Sequence, residues 1–341
     1  AFFKDRYGFG KCLLTSSCTD ALEMAAILCN IEEGDEVIIP SYTFVSTANA
    51  FVLRGAKIRF CDSKEDHPNI DEDLIEDLIT DRTKAIVVVH YAGVACDMDK
   101  IMALADKHGL LVVEDAAQAI DSYYINSAKE KVPLGSIGHL AAFSFHETKN
   151  IISGEGGMLV VNDPTLQGRA EIIWEKGTNR AAFFRGEVNK YGWVDIGSSF
   201  LPSEVTAAFL YAQLEHIDDI QRRRTQIWNM YQELFDALKL GSKRCPKLFP
   251  YSTNNGHLYY ILCDGLEERS RLVDTLKSQF SINAVFHYLS LHSSPFYSEK
   301  HDGRNLPSTD RFSNCLLRLP LHLHLTDSDI EFICEKVSDS I

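Results

Sequence analysis

The sequence predicts an α/β fold, with a large, mostly parallel sheet followed by a smaller α+β unit. Over the first two hundred residues, short runs of β-branched residues alternate with helical patterns, which is typical of a parallel sheet covered by helices. After about residue 203 long helical stretches dominate. Since 45% of the 341 residues are hydrophobic, the chain can bury a large core in one or two domains.

Five apolar runs of the first part are predicted to be strands, because each is short and rich in Val, Ile, Leu or Phe. They are EVIIP (36–40), AKIRFCD (56–62), KAIVVVH (84–90), LLVVEDA (110–116) and HLAAFSF (139–145). Between the third and the fourth run, a helix is predicted to start after Asp97 and to stop at Gly109. This segment therefore reads as a strand-helix-strand unit.

Further helices are predicted on both sides of these strands. One begins near Thr19 with Gly34 beyond its end, and TFVSTANAFVLRG is closed by Gly55. Residues 203–238 predict one long helix or two in series. A strand YYILCD, a helix EERSRLVDTLKSQF, a short strand INAVFHY and a closing helix follow. We place a boundary between a large domain, 1–222, and a small domain, 223–341.

Composition argues against several classes of function. The net charge of −14 disfavours a general binder of nucleic acid or of anionic membranes, which need basic surfaces. The nine cysteines are scattered without the spacing of a zinc site, so we expect buried thiols and no metal. No apolar run is long enough to span a membrane, and AFFKDRYGFG lacks the layout of a signal peptide. We expect a cytoplasmic protein.

Two segments carry groups that suit one cofactor. Glu114 and Asp115 end the strand in VVEDAAQ, at the sheet edge where open α/β sheets bind ligands, although a strand-end acid can also simply cap a turn. Lys149 stands in SFHETKN, between apolar HLAAF and glycine-rich SGEGG. Pyridoxal 5'-phosphate (PLP) needs a lysine for its aldehyde and a carboxylate that keeps its ring nitrogen protonated. Lysine and carboxylate together therefore predict a PLP site.

The phosphate of PLP needs several N–H and hydroxyl donors, which the start of a helix supplies. Ser17, Cys18, Thr19 and Asp20 lie where a loop enters a predicted helix. Taken alone, this pattern is equally consistent with plain capping of the helix by Thr19.

Several ordered segments resemble those of the DegT/DnrJ/EryC1/StrS sugar aminotransferases, a branch of the PLP-dependent transferases of fold type I. They are SSCTDALEMAA, PSYTFVSTANAFVLRGA, VHYAGVACDMDKI, VVEDAAQA, LGSIGHLAAFSFHETKN with SGEGG, and EKGTNR. The resemblance runs from about residue 10 to the C-terminus. It implies an aspartate aminotransferase-like fold with a PLP-binding large domain, a homodimer with shared active sites, L-glutamate as donor and a nucleotide sugar as acceptor. It also implies a further segment before residue 1.

The resemblance assigns roles where the motifs coincide. Lys149 takes the place of the Schiff-base lysine, where related dehydratases carry histidine, and Asp115 that of the partner of the ring nitrogen. Gln118 would lie beside the ring hydroxyl and Phe44 would stack on the ring, although a Phe at this spacing is often core. The residues implied to bind the cofactor are Cys18, Thr19, Asp20, Phe44, Asp115, Gln118, Ser144, Lys149 and Ser199.

Ser199 enters this set through a departure from the family pattern. Many relatives have an Asn-Tyr-Arg run whose Asn contacts the neighbouring subunit's phosphate, where this chain has Ser199, Phe200 and Leu201. We expect Ser198 or Ser199 to replace that contact.

Candidate substrate contacts lie in two regions. KGTNR and FFRGEVNKYGW concentrate cations and aromatic rings in an acidic protein, which suits a nucleotide diphosphate, with a solvated loop as the alternative. Histidines and a tyrosine elsewhere are candidates for the sugar, with packing or local hydrogen bonds as the alternative. The expected substrate-binding residues are His146, Arg180, Lys190, Tyr191, Trp193, His287 and Tyr288. His292 is a further candidate beside His287 and Tyr288.

The expected reaction moves an amino group from L-glutamate to C4 of dTDP-4-dehydro-6-deoxy-D-glucose. FHETKN, FFRGEVNKYGW, DIGSSF and AVFHYLSLH resemble the branch of the family that makes dTDP-4-amino-4,6-dideoxy-D-galactose for enterobacterial common antigen, a surface polysaccharide. The C4-epimeric glucose product, another PLP reaction and a non-catalytic binding protein remain alternatives. A dinucleotide-dependent enzyme would need a G-x-G-x-x-G motif, which GFGKCL does not complete.

Overall fold

The computed structural model of the chain describes residues 1–241 and 244–341. The strands in these residues are β1 Lys11–Thr15, β2 Glu36–Pro40, β3 Lys57–Cys61, β4 Thr83–Val89, β5 Leu111–Asp115, β6 Tyr123–Ile125, β7 Lys131–Pro133, β8 Leu140–Ser144, β9 Gly157–Val161, β10 Tyr259–Leu262, β11 Val285–Phe286 and β12 Leu316–Leu319. The helices are α1 Phe2–Tyr7, α2 Cys18–Leu28, α3 Val45–Val52, α4 Met98–His108, α5 Gln167–Trp174, α6 Arg180–Phe184, α7 Glu204–Leu214, α8 Ile217–Ala237, α9 Leu266–Phe280, α10 Pro307–Cys315 and α11 Asp327–Ser340. Short 3₁₀ turns cover Glu72–Leu74, Glu76–Leu78 and Tyr91–Gly93.

A seven-stranded sheet with the order β1-β9-β8-β5-β4-β2-β3 forms the larger part of the molecule. Neighbouring strands run parallel except around β9, which is antiparallel to both β8 and β1. The predicted α/β class with a mostly parallel sheet is thus confirmed. The five predicted strands are β2, β3, β4, β5 and β8, and the two further strands β1 and β9 were not predicted.

The sheet is buried on both faces, which explains why its strands read as continuous apolar runs. Every residue of β2, β8 and β9 is buried. On β2, Val37 and Ile39 pack with the apolar faces of α2 and α3, while Ile38 belongs to the core on the opposite face, with α4. Because side chains alternate along a strand, each strand contributes residues to two separate cores, one on each face of the sheet.

The helix ends next to the sheet correct one expectation. Ser17, not Thr19, caps α2: its extended backbone (φ −155°) leaves the hydroxyl free to accept from the N–H of Asp20 at 3.1 Å. Thr19 lies inside the first turn, with its hydroxyl 2.8 Å from that of Ser46. The predicted stop of α3 at Gly55 holds, since this residue adopts φ +87° and donates to the carbonyl of Val52.

The second part of the chain builds a three-stranded antiparallel sheet with the order β10-β12-β11. The stretch 203–238 forms two helices, α7 and α8. Ile217 and Ile220, at the start of α8, join the core of the large sheet, and Ile227 and Tyr231 join the core beneath the small sheet. The expected boundary between residues 222 and 223 falls inside α8, and this division stays a prediction. β12 and α10 were not predicted.

None of the helices in the described residues is both long enough and apolar enough to cross a lipid bilayer.

Candidate active site

A cavity of about 550 Å³ opens at the carboxyl ends of β5 and β8, beside the start of α2. Its far wall comes from the second part of the chain, through β12 and the segment after β11. Predicted residues that line it are Cys18, Thr19, Phe44, Asp115, Gln118, Ser144, His146, Lys149, His287 and Tyr288. The fold thus brings together residues that are up to 270 positions apart in the sequence.

Asp115, the last residue of β5, is held from two sides. The hydroxyl of Thr47 donates to Oδ2 at 2.7 Å, and the N–H of Ala117 donates to Oδ1 at 3.1 Å. The hydroxyl oxygen of Thr43 lies 2.8 Å from that of Thr47, whose proton is engaged by Asp115, so Thr43 is the donor in this pair. Burial raises the pKa of Asp115, and these hydrogen bonds, together with Lys149, oppose that rise.

Glu114, which precedes Asp115 on β5, binds backbone N–H groups of a nearby loop. Its carboxylate is fully buried and accepts from the N–H groups of Gly135, Ile137 and Gly138 at 2.6 to 2.8 Å, and it lies 2.9 Å from Nε2 of His90. Because side chains alternate along a strand, adjacent acids of β5 point to opposite faces. Asp115, the acid that the resemblance singled out, lines the cavity, whereas Glu114 holds the loop before β8.

Lys149 lies in the loop between β8 and β9, where its N–H donates to the carbonyl of His146 at 2.9 Å. Burial lowers the pKa of its ammonium group, and the positive charge of Arg318 adds to this effect, while Cys18 and Asp115 oppose it. A lowered pKa increases the share of neutral amine, which is the form that acts as a nucleophile or a base.

The start of α2 fits a phosphate group. The first N–H groups of a helix have no partner within the helix, and they attract anions. Cys18, Thr19 and Ser144 line the cavity here, whereas Asp20 does not. A Cβ on Gly157 would meet backbone atoms of Ser17 and Cys18 at 2.4 Å, so β9 can approach the start of α2 this closely only with glycine. β9 therefore packs directly against the start of α2, beside the cavity.

Gln118 links the two parts of the chain across the cavity. Its Oε1 accepts from the N–H of Ala92 at 2.6 Å, and its Nε2 donates to the hydroxyl of Tyr288 at 3.1 Å. Phe44, with 54% of its surface exposed, presents an accessible ring whose centroid lies 6.1 Å from that of Tyr288. An exposed ring at the cavity is available for stacking, which a core Phe would not be.

His287 is a neutral cavity residue. Its Nδ1 lies 2.9 Å from the hydroxyl oxygen of Tyr91, which is fully buried. Burial lowers the pKa of His287 to about 2, and the charges of Arg318 and Lys149 contribute to this shift. Its ring therefore carries no charge at neutral pH.

Two residues that line the cavity, His257 and Arg318, and one buried residue behind it, Thr47, were not predicted. Thr47 lies in α3 and holds Asp115 without lining the cavity. His257 is buried with Nδ1 2.8 Å from Oδ1 of Asn150, and burial lowers its pKa well below the ordinary value. Arg318 lies in the middle of β12, and a charge inside the apolar run CLLRLPL was the signal that could have revealed it.

The remaining predicted residues do not line the cavity of this chain. They are Ser199, Arg180, Lys190, Tyr191 and Trp193. Ser199 pairs with Glu175, and Trp193, 83% exposed, pairs with Thr178 in isolated bridges between backbones. Their roles stay predictions. His292, buried, contacts the hydroxyl of Ser41 at 2.9 Å, which is a packing role.

A lysine and a carboxylate in one cavity, at the carboxyl edge of this sheet and beside a helix start, define the class of PLP-dependent transferases with fold type I. The model of the DegT/DnrJ/EryC1/StrS aminotransferase family matches residues 1–338. The chain belongs to this family of sugar aminotransferases, and it is an enzyme that uses PLP.

Known relatives agree with this assignment. The spore coat polysaccharide biosynthesis protein SpsC of Bacillus subtilis is 35% identical over 339 residues, covering 96% of this chain and 84% of SpsC. GDP-perosamine synthase of Escherichia coli O157:H7 is 34% identical over 328 residues, covering 95% and 84%. The PLP form of the putative sugar aminotransferase Spr1654 of Streptococcus pneumoniae superposes with a TM-score of 0.88 at 25% identity, covering 99% of this chain and 88% of that chain.

Proposed function

We propose that this aminotransferase moves the amino group of L-glutamate to C4 of dTDP-4-dehydro-6-deoxy-D-glucose and forms dTDP-4-amino-4,6-dideoxy-D-galactose for a surface polysaccharide, in the cytoplasm. The observation that carries the proposal is the meeting of Lys149 and Asp115 in one cavity, one with a lowered pKa and the other held by two donors. The names of SpsC and of GDP-perosamine synthase, both tied to polysaccharide or nucleotide-sugar synthesis, support a nucleotide-linked acceptor.

Bound PLP supplies an aldehyde that takes up the amino group and a ring that accepts electrons. In this proposal the start of α2, with Cys18 and Thr19, holds its phosphate, and Asp115 faces the ring nitrogen and keeps its proton in place. Phe44 offers its exposed ring for stacking.

Lys149 is the proposed proton carrier. Its neutral amine takes the proton from the α-carbon of the donor, and the resulting ammonium group returns a proton to the cofactor. With a ketone as acceptor the same two transfers run in the opposite order. The lowered pKa of Lys149 suits both directions, because the group must change its charge in each half of the reaction.

The sugar would meet the wall that carries His287 and Tyr288, with His146 at the rim. We place the nucleotide against the segment with Arg180, Lys190, Tyr191 and Trp193 of a second subunit, and Ser199 near the phosphate of that subunit's neighbour. This arrangement requires a homodimer. Mixing a Lys149→Ala variant with a Trp193→Ala variant should restore activity above that of either alone if the site is shared.

The decisive experiment incubates the purified protein with PLP, L-glutamate and dTDP-4-dehydro-6-deoxy-D-glucose and examines the sugar by NMR. Small coupling constants at H4 are expected, because an axial amine leaves H4 equatorial. Lys149→Ala serves as the control that must form no product. If the native protein yields no amino sugar, the proposed reaction is wrong.

A second candidate differs in the acceptor or in the configuration at C4. The similarity to GDP-perosamine synthase favours a test of GDP-linked 4-keto-6-deoxy sugars. Competition between equal amounts of the dTDP- and GDP-linked ketones would give the ratio of kcat/KM directly. Large coupling constants at H4 would instead identify the 4-amino-4,6-dideoxyglucose product.

A further inference from the structure

A second cavity, of about 590 Å³, lies at the edge of the large sheet, beside strand β3. It is lined by the first residues of β2 and β3, Glu36 and Lys57, and by Arg82, which precedes β4. The active-site cavity lies instead at the carboxyl ends of the parallel strands, and the two cavities share no lining residue. The second cavity is therefore separate from the active site.

Four cationic side chains line the second cavity, but only two acids do. The cations are Lys57, Arg59, Arg82 and Lys300, and the acids are Glu36 and Asp302. Because the protein as a whole carries a net charge of −14, this local excess of positive charge does not follow from its composition. Cations gathered around a concave surface raise the local concentration of anions.

Asp302 is shared by two arginines. Its Oδ2 lies 3.2 Å from Nη1 of Arg59, and its Oδ1 and Oδ2 accept from Nε of Arg304 at 3.0 and 2.9 Å. Nε of Arg59 is buried and has no hydrogen-bond acceptor among residues 1–241 and 244–341. One carboxylate thus serves two guanidinium groups, and the donors of Arg59 are only partly satisfied.

The two lysines of the second cavity have no acid of their own. Glu36 is paired with Arg82, whose Nη2 lies 3.3 Å from its Oε1. Within the described part of the chain, Lys57 and Lys300 form no ion pair. The ammonium group of Lys300 lies instead over the ring of Phe296, 3.4 Å from the ring centroid. The cavity therefore presents two lysine charges that an anionic ligand can neutralise.

We propose that the second cavity binds an anion that carries phosphate groups. A phosphate group concentrates up to two negative charges and three acceptor oxygens around one atom, which suits several cations that converge on one cavity. The volume of about 590 Å³ falls within the range of small-molecule sites, roughly 300 to 1,000 Å³, so an organic group can accompany the phosphate. Inorganic pyrophosphate and a nucleoside diphosphate share this chemistry.

Lysine footprinting of the holoenzyme tests the proposal at Lys57 and Lys300 directly. The PLP-loaded protein is treated with an acetylating reagent, with and without pyrophosphate at constant ionic strength, and mass spectrometry measures the acetylation rate of each lysine. We expect pyrophosphate to slow acetylation of both lysines at least about 5-fold, because a bound anion disfavours the neutral, reactive amine. Lys277, exposed on α9 and outside both cavities, should react at an unchanged rate.

Variants test the same site by affinity. Calorimetric titration with pyrophosphate should give a Kd at least about 10-fold higher for the double variant Lys57→Gln/Lys300→Gln than for the native holoenzyme. The matched control is Lys239→Gln/Lys277→Gln, which changes the net charge equally at exposed positions outside both cavities. It should bind like the native protein. Any pyrophosphate that the active site holds is common to all three proteins, and urea denaturation verifies that they are folded.

Two further probes decide the class and the source of the anion. Succinate carries its two charges on separate carboxylates, so it should protect Lys57 and Lys300 less than pyrophosphate does at the same concentration. Protection by dTDP at lower concentrations than pyrophosphate would support a nucleoside diphosphate as the ligand. Protection by pyrophosphate at the lower concentration would support an inorganic anion.

Three results would overturn the proposal. They are unchanged acetylation of Lys57 and Lys300 in pyrophosphate, equal Kd values in the two double variants, and equal protection by succinate and pyrophosphate. The last result would show that the lysines respond to negative charge in general. Because both readouts are independent of turnover, failure of the protein to aminate a sugar would contradict the proposed reaction and leave this test intact.

Discussion

The hydroxyl of Thr47 donates to Oδ2 of Asp115 at 2.7 Å and so ties α3 to the end of β5 inside the active site. Thr43 donates to Thr47 in turn. The hydroxyl groups of Thr43 and Thr47 thus hold the carboxylate of Asp115 on the side of α3. This contact was not predicted from the sequence. Thr47 is therefore a positioning residue for Asp115.

Thr47→Val should lower kcat about 10-fold, because it removes one of the two donors that orient Asp115 while it keeps the shape of the side chain. Thr47→Ser retains the hydroxyl and should stay close to the native rate. Steady-state kinetics with saturating PLP would check this. A native rate in Thr47→Val would show that Ala117 alone positions the carboxylate.

The adjacent acids of β5 should respond in opposite ways to neutral replacement. Glu114→Gln leaves two of the four donors around this buried side chain without an acceptor, so the free energy of unfolding should fall by about 2 to 4 kcal/mol. Asp115→Asn should leave the stability of the PLP-free protein unchanged or slightly higher, since burial already disfavours its charge.

Urea denaturation and measurement of kcat for Glu114→Gln and Asp115→Asn distinguish a structural acid from an acid that acts on the cofactor. Asp115→Asn should lose activity by orders of magnitude because an unprotonated ring nitrogen is a poor electron sink. Glu114→Gln should keep its activity at temperatures where it remains folded. The assignment would be reversed if the stability loss occurred at position 115.

Lys149→Ala should still bind PLP without a covalent link, since the phosphate contacts at the start of α2 are retained. Borohydride reduction followed by mass spectrometry should attach the cofactor to the native protein and not to the variant. Covalent labelling or turnover in Lys149→Ala would remove this lysine from its proposed role.

Gly157→Ala should weaken PLP binding at least about 10-fold, because the added Cβ would lie 2.4 Å from the backbone of Ser17 and Cys18 and must displace the start of α2. Fluorescence titration of the PLP-free protein would give the change in Kd. Gly168→Ala is the matched control: no atom lies within 4 Å of its Cβ, and its place in α5 should add about 0.5 to 1 kcal/mol of stability. Equal Kd values in both variants would contradict the close approach.

A buried histidine outside the cavity should make stability depend on pH. Burial lowers the pKa of His67 to about 3, and its Nδ1 accepts from the N–H of Asn69 at 3.1 Å. Between pH 3 and 6.5 the unfolded chain therefore binds a proton that the folded chain does not, so stability falls as the pH drops below 6.5.

When the pH falls from 7.5 to 5.5, His67 should lower the free energy of unfolding by about 1.4 kcal/mol. His67→Asn keeps an acceptor for the N–H of Asn69 but does not titrate. Its free energy of unfolding should therefore fall by about 1.4 kcal/mol less than that of the native protein over the same pH interval. Urea denaturation at the two pH values measures both losses. An identical pH dependence in the variant would mean that His67 takes up its proton equally in the folded and in the unfolded chain.

Much of the sheet and of the cofactor site could be predicted from the sequence. Strands that are buried on both faces consist of continuous apolar runs in the sequence. β2 to β5 and β8 were predicted for this reason. β9 carries the same signal in its run MLVV but was missed because it directly follows the glycine-rich segment, and β1 has an apolar run of only three residues, CLL. Lys149, Asp115 and Gln118 were predicted because PLP chemistry demands particular functional groups. All three line one cavity, and their roles stay predictions.

The α/β class and the family were predictable from the amino-acid sequence, because hydrophobic periodicity and chemically constrained motifs are local properties of the chain. The packing of distant segments was needed to show that Glu114 instead holds the loop before β8, that Thr47 supports Asp115, and that Arg318 reaches the cavity across more than 160 residues from Lys149. These are contacts between distant segments, and they depend on which way each strand turns its side chains when the sheets pack. A one-residue change of register in β5 or β12 would turn Asp115 or Arg318 to the opposite face of its sheet while leaving the apolar pattern recognisable.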